Sequence, residues 1–237
     1  MIKFIAETGS TNADLISALQ AHQKLDEGHW LITDRQTQGR GRHGRGWEDG
    51  SGNFMGSTIV TLGSGEYPGT WLNLPLSLAV RGAIADFIPD PGEIMLKWPN
   101  DVLLRGAKVS GILMELFEFQ VVVGIGVNLA SAPQIEGRET IALSDVIDEP
   151  PSRDAFARRL MYHVQVEVER WRKMGDAGVR PRWFAFAHPK GSKLSVHDAD
   201  GLRFEGVFKD LAPSGALLLQ MSDGSVRQIN AGDVSVG

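Results

Sequence analysis

The sequence predicts an α+β protein: a mixed or antiparallel sheet packed with helices on one side, followed by a small all-β barrel. Three observations carry this. Between residues 94 and 129, four strand-like runs (94–98, 102–104, 108–117 and 120–129) follow one another with no room for helices between them, as antiparallel neighbours do. Two helical segments, 71–87 and 153–174, flank that block. In the second, Phe156, Leu160, Val164, Val168 and Trp171 recur at spacings of four, four, four and three, which makes one apolar stripe. After Pro189-Lys190-Gly191 the texture changes to short strands (193–196, 204–211, 216–221, 226–229) alternating with turn signals at Asp200-Gly201, Ser214-Gly215 and Asp223-Gly224, the pattern of a small barrel. A domain boundary near residue 189 follows, giving 1–188 and 189–237.

The remaining elements fall into the same scheme. Residues 2–5 read as a strand. Thr11-Asn12-Ala13-Asp14 has the capping-box pattern, and Leu15, Ile16 and Leu19 then share one helical face. A strand at 29–33 leads into a basic glycine-rich loop, and residues 53–62 follow a loop of Asp, Gly and Ser as a run of β-formers. The link Arg105-Gly106-Ala107 is short enough for a hairpin.

Composition narrows the function. The 237 residues carry a formal net charge of −5, and 42% are hydrophobic, enough to bury a real core. Six Trp and ten Phe argue against disorder. With no cysteine, disulfides, Cys-based metal sites and thiol catalysis are excluded, and a reducing cytoplasm is compatible. The N-terminal run MIKFIAETGSTNADL has neither a long apolar stretch nor a small-residue cleavage pattern, so neither a signal peptide nor a membrane span is expected. The acidic balance disfavours general nucleic-acid binding, and no DNA partner is expected.

Residues 36–47 read QTQGRGRHGRGW. Gly39, Gly41 and Gly44 formally satisfy the dinucleotide fingerprint, but that motif needs a helix directly after it, and GWEDGSGN is a poor helix start. No Walker A loop is present. What remains is a flexible segment with Arg40, Arg42 and Arg45 closely spaced. Glycines let backbone approach a ligand, and guanidinium groups hold phosphates in bidentate fashion. Such a loop should repel itself and stay mobile until an anion orders it. Trp47 at its end either covers a ring system or anchors the loop. A basic surface loop, or an RNA-contacting segment, is the competing reading.

Residues 96–117 read LKWPNDVLLRGAKVSGILMELF. Pro99-Asn100-Asp101 is a turn between apolar strands, and Gly111 interrupts an apolar strand where a bulge or a ligand would sit. By spacing alone, Lys108 reads as a solvated charge at a hairpin end, and Asp101 as a turn former.

Taken together, these segments resemble the biotin–protein ligases. GSTN (Gly9 to Asn12), QGRGRHGRGW (Gln38 to Trp47) and KWPNDVLLRGAKVSGILMEL (Lys97 to Leu116) agree with that family's motifs in order and spacing. VVVGIGVNLA and the tail from KGSKLSV to INAGDVSV extend the likeness over nearly the whole chain. Val109-Ser110 stands where the family commonly has Leu-Ala. The resemblance implies the family's catalytic domain followed by a Src-homology-3-like barrel. Because the chain starts almost directly on the catalytic domain, the monofunctional type without a DNA-binding domain is expected.

The family's reaction activates biotin with ATP as biotinyl-5′-adenylate, with Mg2+ accompanying the ATP, and transfers biotin to a lysine of a biotin carboxyl carrier domain of acetyl-CoA carboxylase or a related carboxylase. By position, Lys108 is the family lysine at the biotin carboxylate, with Arg42 and Asp101 as further catalytic residues, Asp101 beside the acceptor amine. Biotin would be held by Ser10, Thr11, Asn12, Gln36, Arg40 and Lys108. Capping is the other role open to Ser10 and Thr11. The nucleotide would be held by Gly39, Arg40, Gly41, Arg42, Arg45, Trp47, Asn100 and Asn128. No metal-ligating residues of the chain itself are expected. A cytoplasmic location and a homodimer are implied by resemblance. The rival readings are a lipoate–protein ligase, which shares fold and chemistry, and an RNA-binding module.

Overall fold

Runs of β-branched and aromatic residues separated by glycine turns build a mixed seven-stranded sheet. In the computed structural model, which describes residues 1–48, 50–63, 71–198 and 201–236, its strands are β1 (Ile2–Thr8), β2 (Trp30–Gln36), β3 (Phe54–Thr61), β4 (Ile94–Lys97), β5 (Asp101–Leu104), β6 (Ala107–Phe117) and β7 (Gln120–Val127). Their order is β1-β2-β3-β7-β6-β5-β4. Only β1 and β2 run parallel, because α1 (Thr11–Gln20) provides the crossover between them. The β5–β6 link is the expected hairpin: Arg105 and Gly106 have φ of 52° and 84°, the left-handed pair a two-residue turn requires.

Helices α2 (Asn73–Ala85) and α3 (Arg153–Met174) cover one face. Phe54 on β3 is fully buried there, its ring 6.3 Å from Trp30 and 5.6 Å from Phe156. The α3 stripe of Phe156, Leu160, Val164, Val168 and Trp171 all joins that core. The side chain of Ser152 accepts a hydrogen bond from the Ala155 N–H and so caps α3. Ser152→Ala is expected to cost about 1 kcal/mol, read as a lower urea midpoint with an unchanged slope.

The expectation that the helices pack on one side needs correction for α1. Leu15 and Leu19 pack with Leu31, Ile59 and Val122, whereas Ile32, Val60, Val121 and Val123 join the α2–α3 core. Neighbouring residues of a strand face opposite sides, so α1 lies on the other face. The capping-box reading is corrected too. Ser10, at φ −161° and ψ 126°, is the N-cap, and its own side chain makes no capping hydrogen bond. Thr11 lies inside the first turn and its hydroxyl is engaged elsewhere.

A fourth helix, α4 (Asp176–Phe186), follows α3 directly, in a stretch whose Gly178 and Pro181 hide it from pattern reading. The C-terminal unit is a five-stranded antiparallel sheet of β8 (Lys193–Asp198), β9 (Arg203–Leu211), β10 (Leu217–Gln220), β11 (Val226–Ile229) and β12 (Gly232–Val236), in the order β11-β10-β9-β8-β12. Four of these strands stand where the sequence places them, and β12 is an addition. Asp200 of the Asp200-Gly201 turn lies outside the described residues. Phe208, Leu217, Leu219 and Val234 join the same core cluster as the large sheet, and the Trp98 indole N–H donates to the Gly215 carbonyl at 3.0 Å. The small sheet is thus packed onto the end of the large one.

Candidate active site

On the face that α1 shares, the helix covers the β2–β3–β7 side and leaves the β6–β7 region open. Glycines occupy that region. Gly111 pairs with Gly126 across β6–β7, and Gly124 pairs with Leu113 on one side and Ser57 on the other. The resulting floor belongs to a cavity of about 470 Å³. Side chains at these positions would fill it: a Cβ on Gly124 would stand 2.5 Å from Asn12 Oδ1, and one on Gly126 would fall on the Trp47 ring.

One wall is a neutral hydrogen-bonding cluster from the start of α1. The Thr11 backbone N–H and hydroxyl lie 2.9 and 3.1 Å from Gln36 Oε1. The Thr11 and Ser57 hydroxyls are 2.6 Å apart, Ser57 donates to Asn12 Oδ1 at 2.6 Å, and Asn12 Nδ2 donates to Glu115 at 2.7 Å. Ser10, Thr11, Asn12 and Ser57 are all buried. A buried network with every member bonded is rigid. It therefore presents fixed donors and acceptors to a polar head group in the cavity.

The opposite wall is ionic. Lys108 Nζ lies 2.5 Å from Asp101 Oδ1, with only 15% and 12% of the two side chains exposed. Lys108 is therefore not a solvated charge at a hairpin end. The register slips between Val102 and Leu103, so that Lys108 sits opposite Leu103 while Asp101 pairs with Gly111. Asn100 in the preceding turn donates to the Ile112 carbonyl at 2.6 Å and accepts from Arg42 at 3.1 Å. Behind this wall, Lys97 stands opposite Asp101 on β4. Burial pulls its ammonium below the ordinary lysine value, against the attraction of Asp101.

The glycine-rich loop forms the roof. It is folded rather than extended: Trp47 N–H donates to Gly39 O, Gly41 N–H to Arg45 O, and residues Arg42–Gly44 form a single turn. No helix follows it among the described residues, which removes the dinucleotide-fingerprint reading. The expected self-repulsion is met by partners on the C-terminal strand. Arg45 makes a two-pronged pair with Asp233, at 2.9 and 2.7 Å, and Arg42 donates to the Gly232 carbonyl at 3.3 Å. Burial lowers the Arg42 value against the pull of Asp233 and Asp101. Arg40, at the exposed mouth, is held through its backbone bridge to Gly46. Trp47 lies over Gly126 and Gly111, its ring centroid 6.0 Å from Lys108 Nζ. Its indole N–H is buried with no acceptor among the described residues.

Burial pushes the Asp233 carboxyl up, but the Arg45 hydrogen bonds and the charges of Arg45, Arg138 and Arg42 outweigh it, and the value falls below the ordinary carboxylate range. The sign follows: the latch contributes fully above that ordinary range and is lost as pH falls through the lowered value. In Asp233→Asn the loop is expected to loosen at neutral pH. Trypsin cleavage after Arg42 and Arg45 should then accelerate several-fold, since proteolysis tracks local opening.

Every residue singled out by sequence lines the cavity except Gly39, which lies outside it against Trp47. Asn128 belongs to it and is fixed by donating to the Ile141 carbonyl at 3.1 Å. The sequence reading missed Ser57, Glu115, Asp233 and the segment from Pro133 to Arg138. Ser57 sits in a strand with two threonines as well, and nothing in the sequence singles out its hydroxyl. Asp233 lies 188 positions from its partner Arg45. Among the described residues no group of three or more His, Asp or Glu side chains is placed to hold a metal ion.

The chain matches the biotin/lipoate A/B protein ligase family over residues 4–128 and the biotin protein ligase C-terminal domain over 200–237. It is 36% identical to the biotin–[acetyl-CoA-carboxylase] ligase of Mycobacterium tuberculosis, covering 97% of this chain and 86% of that one. It is 32% identical to the Paracoccus denitrificans enzyme of the same name, over 91% and 92%. Its fold is that of the Aquifex aeolicus biotin protein ligase solved with biotin and ATP: TM-score 0.84, 24% identity, covering 100% of this chain and 98% of that one.

Proposed function

Because the chain belongs to the biotin/lipoate A/B protein ligase family, we propose that it joins biotin to a lysine of a biotin carboxyl carrier domain at the expense of ATP. Biotin's carboxylate oxygen attacks the α-phosphorus of ATP, the bond to the β-phosphate oxygen breaks, and pyrophosphate leaves. The carrier's deprotonated lysine amine then attacks the acyl carbon of biotinyl-5′-adenylate, AMP leaves and an amide forms. The single observation that carries this reading is a fixed neutral hydrogen-bonding wall facing a lysine–arginine wall across one glycine floor. A ligand with a ureido-type head at one end and an anion at the other fits that layout.

In this assignment Ser10, Thr11, Asn12 and Gln36 receive the ureido head. A site built to pair such a group rejects analogues that lack it, since its own polar atoms would go unpaired. Lys108 offsets the carboxylate in the first step and the acyl-phosphate in the second. Arg40, Arg42 and Arg45 take phosphate oxygens once ligand displaces their present partners. Gly39 and Gly41 let the loop close. Trp47 covers a ring, and Asn100 and Asn128 stand at the nucleotide. Asp101, already bonded to Lys108, orients the incoming amine.

Mg2+ would enter on the triphosphate, its usual manner of binding with one or two carboxylates at most; among the cavity's carboxylates, Asp101 and Asp233 are paired with cations. The proposal places the domain division at 188/189, in support of which α4 ends at Phe186 and the strands of the small sheet begin at Lys193. It also includes a cytoplasmic location, consistent with the lack of cysteine. Among the described residues no helix is long and apolar enough to cross a membrane. A homodimer across the β1 edge is part of the same reading, supported by the exposure of Ile2 and Phe4 on that outermost strand.

The test is ATP–pyrophosphate exchange with biotin or lipoate as the acid. Exchange with biotin alone supports the proposal. Exchange with lipoate alone replaces it with the lipoate reading.

A further inference from the structure

Helices α2, α3 and α4 enclose a second cavity, of about 380 Å³, on the sheet face away from the glycine floor. It shares no lining residue with the first cavity. Three guanidinium groups face it, Arg81 from α2, Arg170 from α3 and Arg182 from α4, against one carboxylate, Glu167. Glu167 is only 3% exposed, and its capacity is taken. Oε1 accepts from Arg170 and Arg182, both at 2.8 Å, and Oε2 accepts from Arg182. The remaining ionisable neighbours are also engaged. His163 bonds Asp86 at 2.8 Å, Arg159 bonds the same carboxylate, and Tyr162 packs edge-on against His163.

Arg81 is left over. Its guanidinium lies flat against Phe186, 3.4 Å from the ring centroid, and donates once, to the Pro91 carbonyl at 2.8 Å. Its Nε–H is buried with no acceptor, and no carboxylate among the described residues forms an ion pair with it. Even a partly desolvated cation without a counter-charge is unfavourable. Two more arginines beside it raise the local positive potential on a molecule that is acidic as a whole. Aromatic backing limits the motion of the group, and a planar guanidinium offers paired donors to a tetrahedral oxyanion.

We propose that this cavity is an anion site for a phosphate-type oxyanion, with Arg81 as the anchoring cation and Arg170 and Arg182 as flanking donors. The site stands apart from the ligase assignment, since it uses no residue of that cavity. A phosphate seated there would accept from the N–H groups that Arg81 turns to the cavity and supply the missing negative charge. Ligand that binds only the folded state raises its melting temperature.

The test is thermal unfolding of the full chain in inorganic phosphate against chloride at equal ionic strength, with phosphate titrated by calorimetry. Wild type is expected to melt higher in phosphate. Arg40→Ala, altered in the other cavity, should keep that shift. Arg81→Met should lose it and weaken phosphate binding by about ten-fold or more, while melting no lower than wild type in chloride. If Arg81→Met does not fold, Arg81→Lys serves instead, and its shift should be smaller because an ammonium lacks the planar fork. No phosphate shift in wild type overturns the proposal. So does a shift that Arg40→Ala loses and the Arg81 variants retain.

Discussion

Lys108→Ala is expected to lower biotin-dependent pyrophosphate exchange by roughly 10²–10³-fold, the usual effect of deleting one preorganised group that faces developing charge. The size follows from the setting. The ammonium is largely out of water and held 2.5 Å from Asp101, so it need not reorganise when biotin's carboxylate approaches the polyphosphate. Deleting it also strands the Asp101 carboxylate, and some loss of stability accompanies the loss of rate. Lys108→Arg separates the two effects. It keeps the positive charge for Asp101 but replaces a compact ammonium with a wider planar group; its melting temperature should recover more than its exchange rate. Wild-type exchange in Lys108→Ala, with the fold intact by circular dichroism, would remove Lys108 from the chemistry.

Gly126→Val is expected to weaken biotin binding by roughly 5- to 150-fold, the equivalent of about 1–3 kcal/mol of overpacking. Valine suits a strand, and Gly126 lies within β7, paired on both sides, so the sheet should persist. The added Cβ, however, falls where the Trp47 ring now lies. Either the indole leaves and the roof opens, or the floor rises into the cavity. The first removes the cover over the ligand and the second the space for it, on the face that carries the hydrogen-bonding wall. Calorimetric titration of biotin reads the change. Unaltered affinity would mean that the glycine floor is not where biotin lies.

Much of this arrangement is legible in the sequence, for definite reasons. The α3 stripe is visible because its apolar spacing is uninterrupted over five positions, and the β5–β6 hairpin because Arg105-Gly106 leaves no room for anything longer. The loop, the Thr11 cluster and the Lys108 strand are each ambiguous alone. They become a site only when the sheet sets β2, β3, β7 and β6 side by side. Which face α1 covers turns on the one-residue difference between Leu31 and Ile32, and a strand buried on both faces gives no alternation from which to read it. The Arg45–Asp233 latch is a contact between distant segments, invisible to any local pattern. It changes the picture of the loop from a self-repelling strap to one held by the C-terminal sheet.

The central claim is covalent: biotin ends on a carrier lysine. Mass spectrometry of a purified biotin carboxyl carrier domain, after incubation with this protein, biotin and ATP, tests it directly. The predicted result is a gain of one biotinyl group on one lysine, dependent on ATP and lost in Lys108→Ala. An unmodified carrier domain under the same conditions, with a folded protein, would contradict the account.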